Sequence, residues 1–449
     1  TLNGRGVPCN LLTGEERIDI PGAQITAATV EMFNPQQSGE CVLIDEAHLL
    51  ADPDRGWAWT RALMGAEAPD LQVIGAPTVR GLVEKLAGAA AVEFDVEEHE
   101  RLTPLRMARH HWPIEELPAR TILVAFSRAA VLGLKVALEE RGRKVSVVYG
   151  NLPPEVRRKQ ADRFANGQTE ICVATDAVGM GLNLPADQVC FAEVYKFDGR
   201  ELRVLTPNEV RQIGGRAGRY LLSTVGEIGA TTPEDLELIG DLFEAPVEDL
   251  THARVAPTVE DIAMIPGHLA ERLERWSALE SIPDSLRGAL KTADMTERIE
   301  LASLLTQPEV DALGLSAAMR LINAPTQQNT RPYWRSCASA ILARVDMPLP
   351  PTLRSRIDDH TDLEWAELCI RCADIYLWLS SRREFAPYGS DVFTVRTLRS
   401  EWSRMIDEAL IRRVDAAPRC KQCGRRLPYN HRYRICDSCF RRNRDYRRW

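Results

Sequence analysis

The sequence predicts an α/β protein with two parallel-sheet lobes, the first truncated, then a helical domain and a small ribbon at the end. Three observations predict it. Short apolar strands alternate with amphipathic helices as far as about residue 245, the pattern of a parallel sheet covered by helices. Beyond that point apolar residues recur at helical spacing. The last 30 or so residues carry two CxxC pairs among many arginines.

Residues 1–105 make the first lobe. QITAATVEMF (Gln24–Phe33) and CVLI (Cys41–Ile44) are strand-like, and the latter is apolar throughout, as a buried parallel strand should be. LQVIGAPT (Leu71–Thr78) is a strand running into a turn. A linker follows around Pro104–Pro118, with three prolines. The second lobe, 118–245, opens with the strand TILVAFS (Thr121–Ser127) and the helix Ala129–Gly142, which ends on Gly. It continues with the strand KVSVVYG (Lys144–Gly150) and the helix Leu152–Gly167, with Pro in its first turn. TEICVAT (Thr169–Thr175) and QVCFAEVY (Gln188–Tyr195) are the next strands.

Residues 246–412 read as the helical domain, broken at Ala324–Pro332 and Met347–Pro351, where Pro and polar residues stop a helix. Trp276, Trp365, Trp378 and Trp402 are assigned to its core, as is the Cys369–Cys372 pair. Residues 413–449 form the basic, cysteine-paired tail.

Composition narrows the class. The 449 residues suffice for about three domains. No stretch approaches the ~20 apolar residues of a membrane-spanning helix, so no membrane partner is expected. The net charge of −8 conceals an asymmetry: residues 418–449 hold eleven Arg or Lys against two Asp, a balance of +9, which leaves −17 for the rest. Such a tail points to polyanion contact. Eleven cysteines, an odd number in a large chain, argue for a reducing compartment over a disulfide framework, and a cytoplasmic location is expected.

The motifs carry nucleotide chemistry. In LIDEAH (Leu43–His48) the carboxylates follow an apolar strand, where open α/β sheets place ligand-binding groups. Asp45 suits a Mg²⁺ ion, Glu46 the attacking water, and His48 a link between nucleotide state and the second lobe. Alone, the tetrapeptide reads equally as an acidic strand-to-helix turn. In QIGGRAGR, Gln212, Arg216 and Arg219 are the candidate catalytic residues. The two arginines lie three apart, on one face if a helix starts here, and suit the developing charge of phosphoryl transfer. Gly214, Gly215 and Gly218 permit close backbone approach. VATDAVGMGLN (Val173–Asn183) joins a buried strand to a Gly-rich turn. Thr175 is a phosphate donor there, while Asp176 and Gly179 suit the nucleotide edge. Ser127 and Arg128 are similar donors, though Ser127 reads equally as a helix cap. No GxxxxGK[ST] loop and no Gly-Lys dipeptide occur, and the first residue is Thr1, so a truncated N-terminus is expected.

The C-terminal cysteines read C-x₂-C-x₁₂-C-x₂-C, at Cys420, Cys423, Cys436 and Cys439. Four thiolates in two knuckles make a closed, structural zinc site, a zinc ribbon. With four thiolates complete, His431 reads as a surface residue. Tyr429, Tyr433, Phe440, Tyr446 and Trp449, among the arginines, offer stacking faces for a single strand.

The run from Tyr149 to Pro185, with QIGGRAGR after it, resembles the RNA helicase of the mitochondrial degradosome and its bacterial relatives, members of the DExH type within helicase superfamily 2. LLTGEER (Leu11–Arg17) and TVEM (Thr29–Met32) resemble that family's first-lobe nucleic-acid motifs, which makes Thr29 a nucleic-acid-binding candidate. GAPT (Gly75–Thr78) stands where the family has its coupling motif, with Thr78 the candidate. MPLPP, DIYLWLSSRREF and the cysteine-rich end resemble bacterial members less specifically. The resemblance implies RecA-like lobes, ATP with Mg²⁺, 3′→5′ movement on RNA and an exoribonuclease partner. Two other readings stay open: a nucleic-acid-binding protein without catalysis, and a DNA helicase or translocase, because such motifs contact mainly backbone.

Overall fold

The structure is a computed structural model. It describes residues 2–14, 17–37, 39–176, 184–198, 201–218, 225–278, 282, 286–353 and 356–411, with 420, 422, 423, 436 and 439 of the tail. The chain divides into two compact units: Thr1–Glu98 with Glu248–Pro350 and Arg371–Arg396, and His99–Val247 with Pro351–Ile370 and Thr397–Trp449. The stretch expected as one helical domain, 246–412, is thus shared between two units. Among the described residues no helix is long and apolar enough to cross a membrane.

In the first unit, Cys9–Leu12 pairs in parallel with Ile25–Ala28 and antiparallel with Arg17–Ile18. Cys41–Ile44 pairs in parallel with Asp70–Val73, Cys41 opposite Asp70 and Ile44 opposite Val73. Helices Gly56–Gly65 and Arg80–Ala89 cover one face of this pair, and Ile44, Leu50, Trp59, Leu82 and Leu86 form the core between them. The other face is open among the described residues. Side chains alternate along a strand, so Ile44 is buried while Leu43 is 57% exposed. The expectation of a strand buried on both faces is therefore corrected.

In the second unit six parallel strands lie in the order Leu105–Met107, Gly226–Ala230, Gln188–Phe191, Thr121–Val124, Ile171–Ala174, Val145–Val148. The last three of these are buried at every position, as strands covered on both faces must be. Leu105–Met107 lies within the expected linker. It pairs with Gly226–Ala230, which is why the first unit ends at Glu98, short of 105.

Helices Arg128–Glu140, Pro154–Ala165 and Pro207–Gly214 lie between strands of this sheet and Pro233–Glu244 follows the last of them, three of the four with Pro in the first turn. The helix Val392–Ile411 docks through charge. Asp407, 5% exposed, accepts two bonds from the Arg163 guanidinium at 2.9 and 3.0 Å and one from Gln160 Nε2 at 3.0 Å. Trp276 and Trp402 are buried as expected, whereas Trp365 is 42% exposed because its indole N–H donates outward to the Thr352 carbonyl.

Candidate functional site

The acidic turn of the first unit begins where Cys41–Ile44 ends. Trp59 Nε1 donates to the Asp45 carbonyl at 2.9 Å, and the Glu46 N–H donates to Asp45 Oδ1 at 2.8 Å. Glu46 sits in the left-handed region, φ 55° and ψ 42°, a conformation that costs a side-chain-bearing residue about 1–2 kcal/mol. Its Oε2 lies 3.3 Å from His48 Nδ1. The segment containing Thr78 is stitched to this turn: Ile74 N–H donates to the Ile44 carbonyl at 2.8 Å and Ala47 N–H to the Ile74 carbonyl at 2.9 Å. A β-carbon on Gly75 would stand 3.1 Å from Ala47 Cβ, so the contact is already close. Thr78 is half-buried and its carbonyl accepts from Leu250 N–H at 2.9 Å. Asp45, Glu46, His48 and Thr78 are thus brought together. Thr29 lies elsewhere in the unit. It is exposed, its N–H donates to the Leu12 carbonyl, and its hydroxyl caps nothing in the Val30–Met32 turn that follows.

In the second unit Ser127, Arg128, Thr175 and Asp176 all follow the carboxyl ends of parallel strands, the ligand-binding edge of such sheets. Ser127 Oγ accepts from Ala130 N–H at 3.0 Å and caps Arg128–Glu140. Arg128 turns inward. Its Nε donates to Glu367 Oε1 at 3.0 Å, its Nη1 lies 2.8 Å from His360 Nε2, and it stacks 5.7 Å from the Tyr149 ring centre. Tyr149 donates to the same Glu367 oxygen at 2.8 Å. Burial, and next the Glu367 charge, push the Tyr149 hydroxyl well above its ordinary value. Arg128 is therefore committed to a buried carboxylate in this conformation, and Thr175 is itself only 8% exposed.

Asp176 leads into a network absent from the sequence reading. Lys196 Nζ lies 2.5 Å from Asp176 Oδ2 and 3.3 Å from Glu209 Oε1. Arg203 donates to both Glu209 oxygens, at 2.8 and 3.0 Å. Burial alone would raise the Glu209 carboxyl, but the Arg203 hydrogen bonds, the Thr206 N–H and the charge of Lys196 outweigh it and hold it at about 2. Glu209 also closes a capping box with Thr206 on the helix Pro207–Gly214 that carries Gln212. The T-x-x-E spacing was the one signal that could have found it.

That helix ends at Gly214. Arg216 therefore lies in the following turn, which corrects the expectation of one helical face shared with Arg219. Glycines fill the tight places around this turn: a β-carbon on Gly214 would meet Ile228 Cδ1 at 2.7 Å, and one on Gly218, at φ +68°, would meet the Gly226 backbone at 2.5 Å. Arg101 clamps the turn, donating to the carbonyls of Gly215 at 2.7 Å, Ala217, and Gly218 at 2.9 Å. Nothing in the sequence pattern pairs Arg101 with a segment so distant. Gly179 and Arg219 lie outside the described residues.

The four tail thiols converge. Sγ atoms of Cys420, Cys423, Cys436 and Cys439 all lie within 4.8 Å of one another, and Cys423 and Cys436 are 3.6 Å apart. Burial raises the Cys420 thiol, but N–H donors from Cys436, Gln422 and Cys423 outweigh it and bring it down to about 6. Tetrahedral zinc with Zn–S of about 2.3 Å needs sulfurs about 3.8 Å apart, so the set fits the ion. His431, Tyr429, Tyr433, Phe440, Tyr446 and Trp449 lie outside the described residues.

Residues 1–99 match the family described as the DEXQ-box helicase domain of Suv3, and residues 109–221 the helicase conserved C-terminal domain. Where the first description has Gln in the fourth place, this chain has His48. The mitochondrial ATP-dependent RNA helicase SUV3 of Saccharomyces paradoxus is 32% identical over 436 residues, 90% of this chain and 58% of that protein. The mitochondrial DExH-box ATP-dependent RNA helicase DExH16 of Arabidopsis thaliana is 32% identical over 85% of this chain and 69% of its own length. The human mitochondrial ATP-dependent RNA helicase SUPV3L1 is 32% identical over 91% of this chain and 54% of its own. The chain thus spans 58% of the length of the yeast relative.

Proposed function

We propose a function from one premise: this chain belongs to the Suv3 family of superfamily 2 DExH-type RNA helicases. On that premise it is part of an ATP-driven motor that moves 3′→5′ along RNA and opens duplexes. The observation that carries the reading is 32% identity to RNA helicases, extending over 85–91% of the chain.

The side chains support it in defined roles. Asp45 would hold Mg²⁺, Glu46 would orient and deprotonate the attacking water, and His48 bridges to Glu46. Thr78, in the segment that Ile74 bonds to this turn, would relay the state of the turn to its neighbours. In the second unit Arg216, with Gln212 and Arg219, supplies charge for phosphoryl transfer. Asp176 and Gly179 would serve the nucleotide edge, and Thr29, Ser127, Arg128 and Thr175 would contact the nucleic-acid backbone, Arg128 only once released from Glu367. Nucleotide with Mg²⁺ supplies the anhydride whose hydrolysis drives the cycle. The donor set fits its metal and water side; no residue run in 1–449 has the GxxxxGK[ST] form that cradles the phosphates.

Cys420, Cys423, Cys436 and Cys439 would hold one structural Zn²⁺, which contributes folding energy to a segment with little apolar surface of its own. The basic tail would contact single-stranded RNA, and the family resemblance adds an exoribonuclease as partner; the odd cysteine count supports a reducing compartment, the cytoplasm, as location.

The deciding experiment measures ATP hydrolysis with and without single-stranded RNA or DNA of matched sequence. RNA should stimulate more than DNA, and Glu46→Gln should abolish the stimulated rate. A full rate in Glu46→Gln removes the catalytic assignment, and DNA preference favours a DNA translocase. Elemental analysis should find one zinc, lost in a Cys420→Ser/Cys436→Ser variant.

A further inference from the structure

Arginines stacked on tryptophans converge on one turn of the first unit, Val30–Met32. Arg55 lies over Trp59 at 5.5 Å from the ring centre and binds Glu31 at 2.6 Å. Arg61 lies over Trp57 at 5.1 Å and donates to the Glu31 carbonyl at 2.8 Å. Arg382 lies over Trp378 at 4.3 Å, the tightest of these stacks, and its Nη2 is 3.9 Å from Met32 Sδ. Trp378 in turn backs onto Gly14, where a β-carbon would stand 3.9 Å from its Cδ1.

These cations differ in how they are compensated. Arg55 is paired with Glu31, and Arg320, beside Arg382, is paired with Glu384 at 3.0 Å. Arg298, on Trp57 as well, feels the charges of Asp54 and Glu297 without an ion pair, but leaves no buried donor without an acceptor among the described residues. Arg382 has no carboxylate within ion-pair distance among the described residues, and its buried Nε–H has no acceptor there. Burial, then the charge of Arg320, weaken its hold on its proton, with Glu384 opposing. A desolvated guanidinium with unspent donors is costly. A phosphate oxygen is the acceptor that fits its planar fork.

We propose that Arg382, oriented by Trp378, contacts a backbone phosphate of single-stranded RNA beside the Val30–Met32 turn. This rests on the RNA reading above. It adds a binding residue from a segment, 371–396, that lies far along the chain from the sequence motifs for nucleic acid yet folds against the first of them.

The test is fluorescence anisotropy of the whole chain with a labelled single-stranded oligouridylate at several salt concentrations. Arg382→Gln should weaken binding roughly tenfold and flatten the salt slope by about 0.7, the loss of one phosphate contact on a single strand. Arg382→Lys should keep the slope and lose a few-fold in affinity, because charge remains and stacking does not. Unchanged affinity in either variant overturns the proposal, as does weaker binding of Arg382→Gln with an unchanged slope, which is a structural effect. If Arg382→Gln fails to fold by circular dichroism, Arg382→Lys decides alone by its affinity. An unaltered chain that binds no RNA overturns the RNA reading itself, and is told apart from the other outcomes without any variant.

Discussion

Two strands of similar apolar content fare differently in this molecule. Thr121–Val124 is buried at all four positions within a six-stranded sheet, while Cys41–Ile44 turns Leu43 outward with 57% of its surface exposed. Composition inclines a segment to be a strand, and its neighbours decide whether one face or two are covered. The turns that follow the two sheets differ in the same sense. The arginine-bearing turn of the second unit is fixed by glycine contacts and the Arg101 clamp. The acidic turn of the first rests on a left-handed glutamate and a few backbone bonds.

The largest expected effect separates the two strands directly. Leu123→Ala, at a fully buried position, should cost about 2–5 kcal/mol in urea unfolding. Leu43→Ala should stay within about 0.5 kcal/mol. Equal costs would mean that the open face of Cys41–Ile44 is covered in solution. Next in size, Arg101→Ala strips donors from four carbonyls in the second unit, those of Thr103, Gly215, Ala217 and Gly218, and should cost about 2 kcal/mol. A neutral result would show the glycine contacts alone hold the turn.

Acid should act on the second unit through Glu209. Its folded value of about 2 lies below the usual 4.5. Its ion pairs therefore stabilise fully above about pH 4.5, and that stability is lost as pH falls from there toward 2. Discounted for partial solvent screening, the contribution is about 1–2 kcal/mol. Glu209→Gln should flatten the acid limb of the stability curve between pH 5 and about 3; an unchanged limb would assign acid lability to other carboxylates.

The same contrast explains what the sequence made legible. Strands such as Thr121–Val124 and Ile171–Ala174 were readable because β-branched apolar runs bounded by turn residues need no partner to be recognised. The four tail cysteines were readable from spacing alone, and so was the Ser127 cap. Leu105–Met107 was not, since it is short, follows Pro104 and exists only through its pairing with Gly226–Ile228. Arg101, Lys196 and Arg382 were missed for one reason: their partners are set by tertiary contact, which no local pattern encodes. Arg128 shows the limit from the other side. Its place at a strand end was foreseeable, but Glu367, which holds it, lies on a helix distant in sequence.

The smallest expected effect is also the one of unusual sign. Glu46 occupies φ 55°, where a β-carbon crowds the following carbonyl and glycine does not. Glu46→Gly removes that strain, and it also removes an exposed contact with His48 worth less than about 1 kcal/mol. Gly carries more freedom in the unfolded chain, which takes back part of the gain. The balance is a stabilisation of about 0.5 kcal/mol, read as a small upward shift of the urea midpoint, together with loss of RNA-stimulated hydrolysis. Stability up and catalysis down in one substitution would identify the acidic turn as a place where conformation is held for chemistry at the expense of the fold. A fall in stability would instead mean that the Glu46 side chain anchors the turn, and that the first unit is more firmly built at this edge than its open strand suggests.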